Sequence, residues 1–193
     1  MSRDQSFLGH YVSASSCVHG SVNFVHIFPT FKLITQKCWR GNGRKICSHG
    51  YDSGPVFSCP SRTPSALDEA IEAAKSAGCK DLAILHCVSG YPAPAEDYNL
   101  KTITEMKKKF NLVTGLSDHT LDNNTAIASV ALGASIIEKH FTLNRDGGGP
   151  DDSFSLEPME LKNLCNGTNI AWSALGDINF SRKSSEKTNA QFK

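Results

Sequence analysis

The chain has 193 residues, with 20 lysines and arginines against 19 aspartates and glutamates, and a pI near 7.6. That balance supplies no basic stripe for nucleic acid and no charge excess for a membrane surface, so the default partner is a small molecule. No apolar run reaches the roughly 18 to 20 residues of a membrane span, and the start MSRDQSFLGHYVSASS lacks the basic-then-apolar order of a signal peptide, so a cytoplasmic location is expected.

The first sixty residues carry no sustained period of two or of 3.6. Only NFVHIFPTFKLI is apolar enough to pack, and Pro29 interrupts it. Cysteine is present seven times, an odd count, and Cys79, Cys87 and Cys165 fall in or beside regular elements, as reduced thiols do. Cys38, Cys47, His49 and Cys59 can be drawn as a zinc set, although the compact CxxC pair that makes such a signal strong is missing.

From Thr63 the patterns become regular. Thr63 or Ser65 can cap a helix with Pro64 in its first turn; Leu67, Ala70, Ile71 and Ala74 form its apolar face, and Gly78 ends it. DLAILHCVS then reads as a buried strand. Leu100, Ile103, Met106 and Phe110 mark a second helix with lysines on its wet side, leading into the strand LVTGLSDHT. NNTAIASVALG is a short helix stopped by Gly133, ASIIEKHFTL a third strand, and a last helix runs from behind Pro158 to Gly176.

Strands and helices alternating at this spacing mean parallel βα units, whose ligands sit at the carboxyl ends of the strands. All three strands end in chemistry: His86 to Tyr91, Ser117 to Thr120, and Glu138 to Thr142. Ser117 and His119 are two apart and share a side, as do Glu138 and His140. On neighbouring strands His119 and His140 would converge on one divalent ion, with water and substrate oxygens completing the shell. Two imidazoles with oxygen ligands suit Mn²⁺, Mg²⁺, Co²⁺ or Zn²⁺ about equally. Two hydrogen-bonded core histidines would give the same spacing.

LHCVSGYPAPAEDYNL, GLSDHTLDNNTAIASVALGASIIEKHFTLNR, GGGPDDSFSLEP and ALGDINFSRKSSEKTNAQF resemble consecutive blocks of the sialic acid synthase family, from about Ser65 to Lys193. RDGGGPDDSFSLEP and SRKSSEKTNAQF are most similar to the pseudaminic acid synthases within it. The resemblance implies an α/β fold of the (β/α)8 TIM-barrel type and a transferase that condenses phosphoenolpyruvate with an N-acylated amino sugar, releasing phosphate. It implies His119 and His140 as ligands of Mn²⁺, with Mg²⁺ or Co²⁺ as alternatives, and Ser117 as a phosphate contact. Tyr91 would lie beside the bound phosphoenolpyruvate, and Ser89 stands where some members have Asn. Asp151 matches the carboxylate that contacts the acceptor sugar, from a loop in which Gly147, Gly148 and Gly149 would let the backbone approach the ligand. A homodimer is the assembly that the resemblance implies for full-length members.

A complete barrel takes about 250 residues, so the three strands are expected to be its last three, in a barrel segment at 61–193 behind an unassigned, poorly ordered segment at 1–60. No counterpart appears for the family's earlier strand-end Glu and phosphate-binding lysines, and SGPVFSCPSR stands where a fifth strand is due. The chain therefore reads as a fragment of a synthase. The alternatives are a non-catalytic remnant or interaction module, and another metal-dependent phosphoenolpyruvate-condensing barrel enzyme.

Overall fold

The computed structural model describes residues 63–187 in full and, before them, the backbone of five strands: β1 (Tyr11–Ser16), β2 (Asn23–Phe28), β3 (Ile34–Gly41), β4 (Arg44–Tyr51) and β5 (Gly54–Pro60). The zinc set of Cys38, Cys47, His49 and Cys59 lies outside the residues whose side chains are described. Three further strands follow, β6 (Ala83–Cys87), β7 (Val113–Asp118) and β8 (Ile136–His140), with helices α1 (Pro64–Ser76), α2 (Lys101–Phe110), α3 (Asn124–Ala131) and α4 (Pro158–Leu175).

The expected helices and strands all form in the expected order. Thr63 caps α1 by accepting the Ala66 N–H, with Pro64 at the first helical position. Leu67, Ile71 and Ala74 form the buried stripe of α1. Asn111 in the left-handed region ends α2, and Glu157 and Glu160 close a capping box on α4. No helix among the described residues is long and apolar enough to cross a membrane.

The strands join in one sheet of order β1-β2-β8-β7-β6-β5-β4-β3. β5 through β8 are parallel, and the outer pairings are antiparallel, including β2 on β8. Three parallel strands were expected, and the structure has four. β5 comes from SGPVFSCPSR, where Val56 and Phe57 favour extended chain while Gly54, Pro55 and Pro60 mask the pattern. Its pairing meets the open hydrogen-bonding edge of β6, and β2 does the same for β8. The first sixty residues, in which the sequence shows no sustained period, supply the strands on both flanks of the parallel run. β1 and β3, the outermost strands, approach one another, so the sheet curls as part of a barrel does.

Strand alternation sorts the core into two faces. Toward the helices, Leu116 and Ile137 pack with Tyr98, Ile103, Val130 and Leu164, while Ile84 packs with Ile71, Ala74 and Met106. On the concave face the register stacks layers: Leu85, Gly115 and Ile136, then Cys87, Ser117 and Glu138, with His119 and His140 above. Gly115 is required by close approach, because a Cβ there would stand 2.4 Å from the Ile136 carbonyl oxygen and 2.5 Å from Leu85 Cδ2. Gly115→Ala should therefore cost about 1–3 kcal/mol in a denaturant titration. Val113→Thr, at a half-exposed position of the same strand, should stay within about 0.5 kcal/mol of the parent.

Candidate metal and substrate site

His119 stands one residue past β7 and His140 is the last residue of β8. Their ring centroids are 5.2 Å apart. This juxtaposition follows from the β7–β8 register, which pairs Ser117 with Glu138 and leaves the two histidines as the next concave residues.

Three contacts fix His119. Its Nδ1 is 2.7 Å from the Val88 carbonyl oxygen, its main-chain N–H donates to the Tyr98 hydroxyl at 2.6 Å, and its carbonyl accepts the Ala93 N–H at 3.0 Å. All three partners come from the segment after β6, so the first strand-end loop holds the second strand's histidine. Tyr98 is fully buried, and His86 donates from Nε2 to its carbonyl. His86 thus braces Tyr98, the residue whose hydroxyl accepts the His119 main-chain N–H.

Tyr91 covers the pair, its ring centroid 4.3 Å from His119 and 5.8 Å from His140. Its phenol is hydrogen-bonded by Ser89, and burial raises its pKa above the ordinary tyrosine value. Phe154 packs edge-on against His140 at 5.0 Å. The Asp151 carboxylate lies 3.6 Å from His140 Nδ1. Burial raises the Asp151 pKa, opposed by the nearby His119. One layer below, the Ser117 hydroxyl donates to Glu138 Oε1 at 2.8 Å.

All six residues singled out from sequence, Ser89, Tyr91, Ser117, His119, His140 and Asp151, therefore gather at the carboxyl ends of β6 to β8 and on the loops that leave them. The glycine loop also makes a close contact within the protein. Gly149 N–H donates to Asp152 Oδ2 at 2.8 Å, and a Cβ at Gly147 or Gly149 would stand at that distance from the same oxygen. The close approach that these glycines permit is to the protein's own Asp152 carboxylate. Residues that sequence reasoning gave no role are Tyr98, Phe154 and Glu138. Glu138 shares the parity of His140, which was the available signal, whereas Tyr98 sits in a short 3-10 turn with no period to read.

The residues present fit a divalent cation. A carbonyl oxygen only accepts, so His119 Nδ1 carries the proton and Nε2 presents its lone pair, the tautomer of a metal-binding imidazole. Burial lowers the His119 pKa, and it lowers that of His140 to about 4, with His119 adding to the effect. Both rings are thus held in the neutral form that binds metals. Among the described residues no group of three or more His, Cys, Asp or Glu side chains could hold a metal, so oxygens of solvent or substrate would have to complete the shell.

Parallel strands ending in a histidine pair, a carboxylate and hydroxyls define an α/β protein with its site on the carboxyl-end face of the sheet. The chain belongs to the NeuB family, whose model matches residues 51–180. That match begins ten residues before the boundary expected at 61, and it includes β5. The N,N'-diacetyllegionaminic acid synthase of Campylobacter jejuni is 44% identical over 124 residues, covering 63% of this chain and 37% of that protein. A pseudaminic acid synthase of Campylobacter jejuni is 43% identical over 122 residues, covering 63% of this chain and 36% of its own. A crystal structure of N-acetylneuraminic acid synthetase from Leptospira borgpetersenii, in complex with citrate, superposes with a TM-score of 0.62 at 33% identity, covering 71% of this chain and 48% of that one. The chain spans about a third of the length of these curated relatives.

The depressed His140 pKa sets a pH window. Above about 6.5 the ring is neutral whether the chain is folded or not, and it contributes no pH dependence. Below that, the unfolded chain binds a proton that the folded chain refuses, so stability falls from pH 6.5 down to about 4 and then levels. The drop from 6.5 to about 4 corresponds to about 3 kcal/mol. Denaturant titrations of metal-free protein should show this slope, and His140→Gln should reduce it, leaving the part that His119, whose pKa burial also lowers, contributes.

Proposed function

We propose that the chain carries the metal-binding, carboxyl-end part of a nonulosonic acid synthase, which condenses phosphoenolpyruvate with an N-acylated amino sugar and releases phosphate. The observation that carries this reading is the facing pair His119 and His140, 5.2 Å apart, with Asp151 3.6 Å from His140 and Tyr91 over both rings. The family membership supports the class of reaction. The similar identities to a legionaminic and a pseudaminic acid synthase leave the acceptor as an N-acylated amino sugar, without preference between them.

In this reading His119, through Nε2, and His140 hold the cation, Mn²⁺ foremost with Mg²⁺ or Co²⁺ as alternatives. The cation supplies Lewis-acid polarisation of the acceptor's aldehyde. Asp151 fixes sugar hydroxyls beside His140. Tyr91 lies against phosphoenolpyruvate and, with Phe154, screens the rings from water. Ser89 and Ser117 donate to phosphate or carboxylate oxygens. Ser117 must turn its proton from Glu138 to do so, which makes Glu138 the residue that sets when this donor becomes available. Assembly as a homodimer and a cytoplasmic setting belong to the same proposal.

The test is a Mn²⁺ titration followed by electron paramagnetic resonance, with and without phosphoenolpyruvate, alongside phosphate release on adding an N-acylated amino sugar. His119→Gln and His140→Gln should each weaken Mn²⁺ binding by orders of magnitude, since each removes one of two protein ligands. His86→Gln should leave Mn²⁺ binding nearly unchanged, because that ring serves the Tyr98 carbonyl. Equal titrations for all four proteins would sink the reading. Phosphate release is read with the missing strands of the barrel supplied from a family member; metal binding without phosphate release in that completed barrel would favour the non-catalytic alternative.

A further inference from the structure

On the helix-facing side of β7 and β8, Asp118 and Lys139 form a 2.8 Å ion pair with side-chain exposures of 0% and 1%. The proposed chemistry makes no use of it, because alternation points it away from the histidines. Asp118 and Lys139 are the last register pair of the β7–β8 ladder, and each immediately precedes a histidine. Past them, ladder pairing no longer fixes how far apart the two histidine-bearing ends stand.

Lys139 supplies the tie. Its Nζ donates to Asp118 Oδ2 at 2.8 Å, to the Thr120 carbonyl at 2.6 Å and to the Asp122 carbonyl at 2.8 Å, with Thr120 Oγ1 at 3.3 Å. One ammonium thus gathers residues 118, 120 and 122, the turn that carries His119, onto the strand that carries His140. Asp118 tightens the same turn, since Oδ1 accepts the Thr120 N–H at 2.9 Å. As a stabilising device a buried ion pair is inefficient, because desolvation offsets most of the attraction and apolar residues of similar volume often serve as well. A directional tie between two strand ends is what apolar residues do not provide.

We propose that Lys139 is a positioning residue, which through Asp118, Thr120 and Asp122 sets the separation of His119 and His140 and so their affinity for a divalent cation. The inference rests on the two-histidine reading above. The test compares the full chain with Lys139→Arg and with the double variant Asp118→Leu/Lys139→Met, which removes both charges together. Three quantities are read: melting temperature without metal, Mn²⁺ affinity, and the ¹H–¹⁵N ring spectra of the histidines without metal. Arginine keeps the charge on a longer, planar head, so a role in charge neutralisation alone predicts full rescue.

The expected result is a melting temperature near the parent's for Lys139→Arg, together with a rise of about tenfold or more in the Mn²⁺ dissociation constant, as is usual when the support of a ligand is lost. In both variants the ring signals of His119 and His140 should split or broaden. If the double variant does not fold, Lys139→Arg decides alone. Unchanged ring spectra with Mn²⁺ affinity within about twofold of the parent would overturn the proposal. If the parent binds no Mn²⁺, or His119→Gln binds it as tightly, the two-histidine reading falls. The ring spectra then decide: unchanged signals refute the tie, and split signals support it.

Discussion

The site depends on the register in which β7 lies against β8. Leu116 faces Ile137, Ser117 faces Glu138 and Asp118 faces Lys139. Because side chains alternate, a slip of one residue on either strand would carry its histidine to the helix side and bring a leucine or isoleucine into the concavity. Both faces hold the register against that slip. On one side Leu116 and Ile137 are fully buried in the core, and on the other Gly115 leaves room for Leu85 and Ile136 to meet.

Burial that serves packing also tunes the chemistry. His119 and His140 lie under Tyr91, with His140 also against Phe154, and loss of solvent is the first cause of their lowered pKa values. The same loss of solvent raises the pKa of Asp151. Low dielectric thus opposes charge on all three groups, and a dication would meet neutral imidazoles beside a carboxylate whose ionised form it would stabilise.

The parallel run and its site were legible because they rest on short-range rules. Leucine and isoleucine clusters mark β6 to β8, Pro64 and Pro158 mark helix starts, and a spacing of two put Ser117 with His119 and Glu138 with His140. Four long blocks in a family's order added roles that no periodicity contains. What remained hidden depends on contacts between distant residues. β5 is concealed by its prolines, and β2 pairs with β8 from the far end of the chain. Asp118 and Lys139 read as polar interruptions in apolar strands until the fold brings one against the other. The Gly-rich loop looked open to a ligand because nothing in its spacing tells that Asp152 turns back into it.

The tethers differ among the three strand-end loops, and that difference apportions motion within the site. The loop after β6 is bonded to His119 at Val88, Ala93 and Tyr98, and the turn after β7 is gathered by Lys139. Both should exchange their bonded amide protons slowly and move little on the microsecond-to-millisecond scale. After β8, Gly147 and Gly148 are exposed, and Gly149 is held to a single carboxylate. The least tethered part of the site is therefore the exposed glycine segment after β8, so any opening is expected there, over a floor held by the other two loops.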